Sequence, residues 1–180
     1  GGSLDISGSY DVDQQRPQFS FTAHDIPLDM ASPLLSVPMS GTADAAGHID
    51  GQNWDLAFSA KDGQIKGMLF DSINGSAHGQ GKQIEIPALY WRRGEGLHTL
   101  TGRADLDSRT VDASLTTSHI RVEQLLPLVG KEDLPLTGWA DNTVMIKGTL
   151  DNPSAAGSFR LTSGSYAGYL YKNISEIGRA

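Results

Sequence analysis

Leu100-Thr-Gly-Arg-Ala-Asp-Leu-Asp107-Ser-Arg109-Thr-Val-Asp-Ala-Ser-Leu115-Thr116 holds two runs of alternating character. Leu100, Gly102, Ala104 and Leu106 alternate with Thr101, Arg103 and Asp105. Asp107-Ser108-Arg109 interrupts the pattern, and Val111, Ala113 and Leu115 then alternate with Asp112, Ser114 and Thr116. A period of two sends one set of side chains to one face of a strand. The stretch therefore reads as two strands joined by a turn, with one apolar face and one polar face.

The same alternation extends in both directions. Towards the N-terminus it recurs as Phe19, Phe21 and Ala23, as Trp54, Leu56 and Phe58, and as Ile84, Ile86 and Ala88; towards the C-terminus, as Val144 and Ile146 and as Phe159 and Leu161. Turn signals separate the runs: Asp13-Gln-Gln, Lys61-Asp-Gly63, Gly79-Gln-Gly81, Arg93-Gly-Glu-Gly96 and Asp151-Asn-Pro153. Asp62-Gly63 in particular has hairpin-turn chemistry. The expectation is an all-β chain, a repetitive antiparallel sheet whose strands share one apolar face. One segment departs from it. Ile120-Arg-Val-Glu-Gln-Leu-Leu-Pro127 has helical spacing, with Ser118 as a cap and Gly130 as a stop, and predicts one short helix near 121–127. The corresponding Ile26–Leu35 stretch carries two prolines, which oppose a full helix.

The chain also reads itself twice. Gly8-Ser-Tyr-Asp-Val-Asp13 returns as Gly102-Arg-Ala-Asp-Leu-Asp107, Thr22-Ala-His24 as Thr117-Ser-His119, and Pro38-Met-Ser-Gly41-Thr-Ala-Asp44 as Pro135-Leu-Thr-Gly138-Trp-Ala-Asp141. The displacement is about 95 residues each time. We expect one structural domain made of two related units, about 4–97 and 98–180. Stacked units build an extended surface rather than a compact catalytic centre.

Composition narrows the function. Hydrophobic residues are 38% of the 180, low for a deep core and apt for a sheet with one wet face; 21 glycines and 8 prolines supply the turns. Net charge is −7, which repels a phosphate backbone and argues against nucleic-acid binding. The absence of cysteine removes disulfides, thiolate metal sites and cysteine nucleophiles. No run of some 18 apolar residues is present. Gly1-Gly-Ser3 reads as a linker or tag remnant, so we expect a piece of a longer protein.

A search for chemistry returns little. None of His24, His48, His78, His98 and His119 lies three or four residues from another, so no helical metal pair exists. Asp11/Asp13 and Asp105/Asp107 lack the continuation of a calcium loop and stand beside turns, where Asp bonds its own backbone. No nucleophile elbow, phosphate loop or dinucleotide fingerprint occurs. Tyr90-Trp91-Arg92 reads as an amphipathic strand end, and Tyr166 and Tyr169, taken as one strand, point to opposite faces. We expect no enzyme, no metal and no cofactor. The residues expected to line a common apolar surface are Phe19, Phe21, Trp54, Leu56, Phe58, Ile84, Ile86, Leu100, Val111, Leu115, Val144, Ile146, Phe159 and Leu161.

The C-terminal half carries a family phrase: Leu136-Thr-Gly138, then Val144-Met-Ile-Lys-Gly148-Thr-Leu-Asp-Asn-Pro153, Gly157-Ser-Phe-Arg-Leu161 and Gly164-Ser-Tyr-Ala-Gly168. It resembles the AsmA-like superfamily, above all its TamB branch, over roughly 98–175 and more loosely over 4–60. Val122-Glu-Gln-Leu-Leu-Pro127 resembles the short helical insert of such repeats. The resemblance implies a curled, taco-like sheet with an apolar interior, in a periplasmic protein of the cell envelope anchored in the inner membrane. It implies phospholipid acyl chains or a client β-strand as guests and an Omp85-type outer-membrane partner. The implied work is phospholipid movement between membranes, or assistance to the assembly of outer-membrane and secreted β-proteins, without catalytic residues. The alternative from the residues alone is a β-sandwich or β-solenoid structural or adhesion module with a closed core.

Overall fold

The computed structural model describes residues 1–30, 32–35, 37–65, 68–124, 126 and 133–179. Eleven strands form one antiparallel sheet in strict chain order, curled and open. They are β1 (Ser3–Asp11), β2 (Arg16–Pro27), β3 (Met39–Asp50), β4 (Asn53–Ile65), β5 (Met68–Gln80), β6 (Gln83–Arg93), β7 (Gly96–Asp105), β8 (Thr110–Arg121), β9 (Leu136–Thr149), β10 (Pro153–Tyr166) and β11 (Tyr169–Arg179). The fold is all-β, as the alternation predicts.

Tight turns set the register. The Asp11 carboxylate accepts the N–H groups of Asp13 (3.0 Å) and Gln14 (3.0 Å), and Asp105 accepts those of Asp107 (2.9 Å) and Ser108 (2.9 Å). Both Asp-x-Asp steps are thus turn chemistry. Gln15 and Arg109 close these turns in the left-handed region.

The bulges recur too. His24-Asp25 stands against Asp44, and Ser118-His119 against Asp141. Asp25 and His119 both have positive φ, and each donates its N–H to the facing carboxylate, at 3.0 Å and 2.9 Å. The counterpart of His119 is therefore Asp25, one residue beyond the His24 that sequence matching selects. His24 instead lies 3.5 Å from Asp44, and His119 stacks on Trp139.

Asp62-Gly63 forms a second pair of bulges with Ser163-Gly164, opposite Gly41 and Gly138. This corrects the hairpin expected at Asp62-Gly63. The left-handed Asp62 bends β4 without reversing it, and the strand runs on to Ile65. A further bulge around Pro87 moves Ala88 off the face of Ile84 and Ile86 and puts Leu89 on it. Tyr166 and Tyr169 are directly opposed across a two-residue turn, Ala167-Gly168, both with positive φ. They share a face, contrary to the one-strand reading.

Of the helix expected near 121–127, the described residues show a 3₁₀ turn, Val122–Gln124. Leu125 and residues 127–132 lie outside the described residues. The matching connection holds a 3₁₀ turn, Leu28–Met30, and a single α-helical turn, Ser32–Leu35. Pro33 fits here because the first turn of a helix needs no N–H from it.

Candidate apolar groove

Residues directly opposed in an antiparallel ladder share a face, so register alone assigns the sides of the sheet. One row runs Gly8, Phe19, Ile49, Trp54, Gly79, Ile84, Ala104, Val111, Gly148. The next on the same side holds Ile6, Phe21, Gly47, Leu56 and Ala77 in the first unit and Ile86, Gly102, Ala113, Ile146 and Ala155 further on. A third runs Leu4, Ala23, Ala45, Phe58, Gly75, Leu89, Leu100, Leu115, Val144, Gly157. Phe159 and Leu161 continue the same face of β10. All fourteen residues singled out in the sequence stand on this side.

The large side chains of this face lie over small ones. Phe21 reaches within 2.5 Å of where a Cβ on Gly47 would stand, Trp54 within 2.6 Å of one on Gly79, and Leu89 within 2.8 Å of one on Gly75. Glycine and alanine between bulky neighbours give the face hollows into which the sheet can close. That explains why Trp54, Leu56, Phe58, Ile84 and Ile86 are only partly exposed without a covering layer. Each strand packs chiefly on its neighbours in sequence, and among the described residues no large side chain is fully buried. At the β1 margin the face is open: Ile6 is 66% exposed, Leu4 57% and Phe19 40%. A hollow of about 400 Å³ on β9 and β10 is lined by Val144, Ala155, Gly157 and Phe159.

Two compact clusters close the face near its bulged end. Ala60, Phe70 and Ile73 gather Leu28, Phe58, Leu89 and Trp91; Ile120, Val122, Ala140 and Leu161 gather Leu136, Phe159 and Tyr171. Phe70 lies over Gly63, and Tyr171 lies over Gly164, the equivalent step. Leu28 and Val122, in the two 3₁₀ turns, fold onto these ends. Sequence reading missed Ile49, Ile73 and Leu89. Ile49 and Ile73 alternate with glycine and alanine partners too small to register as an apolar run, and Leu89 is displaced by the Pro87 bulge.

The opposite side is polar. One row reads His48, Asp55, His78, Glu85, Arg103, Asp112, Lys147, alternating cationic or titratable bases with acids at every step. His78 lies 3.4 Å from Glu85; Asp112 lies 3.6 Å from Arg103 and 3.3 Å from Lys147. Among the described residues no group of His, Asp and Glu has the arrangement to hold a metal ion. The site is therefore a surface: a long apolar face on one side and a charged ladder on the other.

No protein-family model, no curated protein and no solved structure matches this chain.

Proposed function

We propose that this chain is a periplasmic segment of a TamB/AsmA-like bridge protein of the cell envelope, and that its apolar face carries phospholipid acyl chains between the inner and outer membranes. The observation that carries this reading is the continuous apolar face on a sheet with no second layer. A closed sandwich or adhesion module would bury that face against another sheet, and no such layer exists among the described residues. Each methylene moved from water to such a face gains about 0.8 kcal/mol. Eleven strands spaced about 4.8 Å apart give a trough roughly 48 Å long, against about 15 Å for one leaflet's hydrocarbon. Several chains fit in line, and without a privileged polar contact they can slide. The longer protein would carry the inner-membrane anchor and meet an Omp85-type partner at the outer membrane.

Photo-crosslinkers at Phe58 and Ile146, combined with native mass spectrometry after exposure to phospholipid, test the reading. Lipid adducts are expected at both positions. Leu56→Arg and Ile146→Asp should abolish bound lipid while leaving the circular dichroism of a folded sheet. Crosslinks to protein strands without lipid would move the function to client assembly, and silent probes in a folded protein would end the conduit reading.

A further inference from the structure

The second unit is hollowed where the first is filled. The turns and bulges that the units share align Gly47, Trp54, Leu56, Phe58 and Gly75 with Val144, Ala155, Gly157, Phe159 and Glu176. Register supports the alignment: Ala45, Phe58 and Gly75 are directly opposed in the first unit, and Asn142, Phe159 and Glu176 in the second. An indole and an isobutyl group of the first unit are thus a methyl group and a hydrogen in the second. Val144 in place of Gly47 restores only part of the bulk. The hollow of about 400 Å³ on β9 and β10 is what this exchange leaves. Ala155 and Gly157 form its floor, Val144 and Phe159 its walls, and Glu176 of β11 its border.

Charge changes together with bulk. Glu176 stands directly opposite Phe159, hence on the apolar side, where the first unit has Gly75 with Leu89 lying over it. It is exposed, and none of the ion pairs among the described residues includes it. The three apolar rows traced above hold no acid and no base, so Glu176 is a lone carboxylate beside an uncharged surface.

That pairing of features defines a guest. It is apolar over most of its length and cationic at one end. A fatty-acid carboxylate or a bare phosphate head is repelled by Glu176, and an uncharged chain gains nothing from it. A primary ammonium group neutralises the carboxylate and also donates a hydrogen bond to it.

We propose that the hollow of the second unit is a binding site for a lipid with an ammonium head, its chain laid over Gly157, Val144 and Leu115 and its ammonium held by Glu176. It rests on the groove reading above and adds a headgroup preference to it. The first unit, with Trp54 and Leu56 filling the face and glycine in place of the acid, takes chains without regard to the head.

The test sets phosphatidylethanolamine against phosphatidylethanol of the same chains, in competition, by native mass spectrometry. The two heads differ only in the ammonium group. The wild type should prefer the ammonium lipid by about threefold, the worth of a partly exposed ion pair. Glu176→Gln should lose this preference. Asp55→Asn, which removes the same charge from the opposite side of the sheet, should keep it and so allows for the overall negative charge of the chain. No preference in the wild type, or an equal change in the two variants, overturns the headgroup site and leaves the groove. Failure of both lipids to bind the wild type overturns both. Phosphatidylethanolamine with a diazirine in its chain tests the placement. Labelling of β9 and β10 should fall in Ala155→Trp, which restores the first unit's residue, while labelling of β3 and β4 stays. Unchanged labelling of β9 and β10, or an equal fall in both units, overturns the placement; Ala155→Leu makes the same comparison if the indole prevents folding.

Discussion

At the residue scale, glycine is placed where the sheet bends onto its apolar face. A Cβ on Gly164 would stand 1.9 Å from the Thr137 carbonyl oxygen and 2.4 Å from the Tyr171 hydroxyl, so the backbone itself must give. The Tyr171 hydroxyl donates to that same carbonyl, reaching over β10 to β9 because Gly138 and Gly164 leave the path clear. Gly164→Ala should cost about 1–3 kcal/mol in urea unfolding, while Gly178→Ala, with nothing within 4 Å, should stay within about 0.5 kcal/mol of wild type. Equal effects of the two would remove the close-approach argument. His98 gives a second residue-level expectation. Burial holds its imidazole below the ordinary 6.5, so the unfolded chain takes up the proton first. Its contribution is complete above pH 6.5 and is lost as the pH falls from there to the folded value. The lowered carboxylates do not confuse this window. Asp44 is held down by the Asp25 N–H, Asp50 by Arg16 and Asp105 by the Ser108 N–H, and each gives up its contribution only below about pH 4. Urea midpoints at about pH 7.5 and pH 5 should drop for the wild type and drop less for His98→Leu; an identical pH dependence would leave His98 without this role.

At the element scale, what pairs strands is register, and both faces specify it. A slip of one residue would exchange Trp54 for Asp55 and Ile84 for Glu85 on the apolar side. The charged ladder on the other side opposes the same slip, because every step meets an opposite or neutralising partner. Asp112 is its most connected member, between Arg103 and Lys147, though both contacts are largely solvent-exposed. Asp112→Lys would align three cations across β7, β8 and β9 and should cost about 1 kcal/mol, more at low salt than at high. A loss that does not change with ionic strength would assign the effect to something other than charge. The alternation behind this register was legible in the sequence wherever large residues recur at period two, as in Trp54-Asp-Leu-Ala-Phe58. It was illegible where the same face is built from Ala43, Ala45 and Gly47, whose small size gives no apolar signal. The bulges were hidden for another reason. Asp62-Gly63 has the composition of a hairpin turn, and only its pairing opposite Gly41 makes it a bend in a continuing strand. The 3₁₀ turn at Val122–Gln124 likewise shares residue types with an α-helix and differs in its tighter i→i+3 hydrogen bonding, which residue types alone do not reveal.

At the scale of the whole molecule, the chain behaves as a one-dimensional array. Strand order follows chain order throughout, so each strand is held by its two neighbours and the terminal ones by a single neighbour. The two units share a turn and a pair of bulges: Asp11 matches Asp105, Gly41 matches Gly138 and Gly63 matches Gly164. Yet the buried side chains gather in the clusters around Phe70 and Leu161, and both lie inward of the ends. Local stability should therefore fall towards β1, exposed along its whole length, and towards β11, where Tyr169, Leu170 and Ile177 are exposed. Hydrogen exchange read by mass spectrometry should show β1 and β11 amides exchanging fastest, with β4, β5, β8 and β9 slowest because they border the two clusters. On the proposed lipid-carrying reading, added phospholipid would supply the contacts that a second layer gives, and it should slow exchange along the strands under the apolar face. The protection should extend to β1, whose Leu4 and Ile6 widen the apolar face at its open margin. Uniform exchange across all eleven strands would mean a single cooperative unit, whereas lipid protection confined to the turns would place the guest outside the trough.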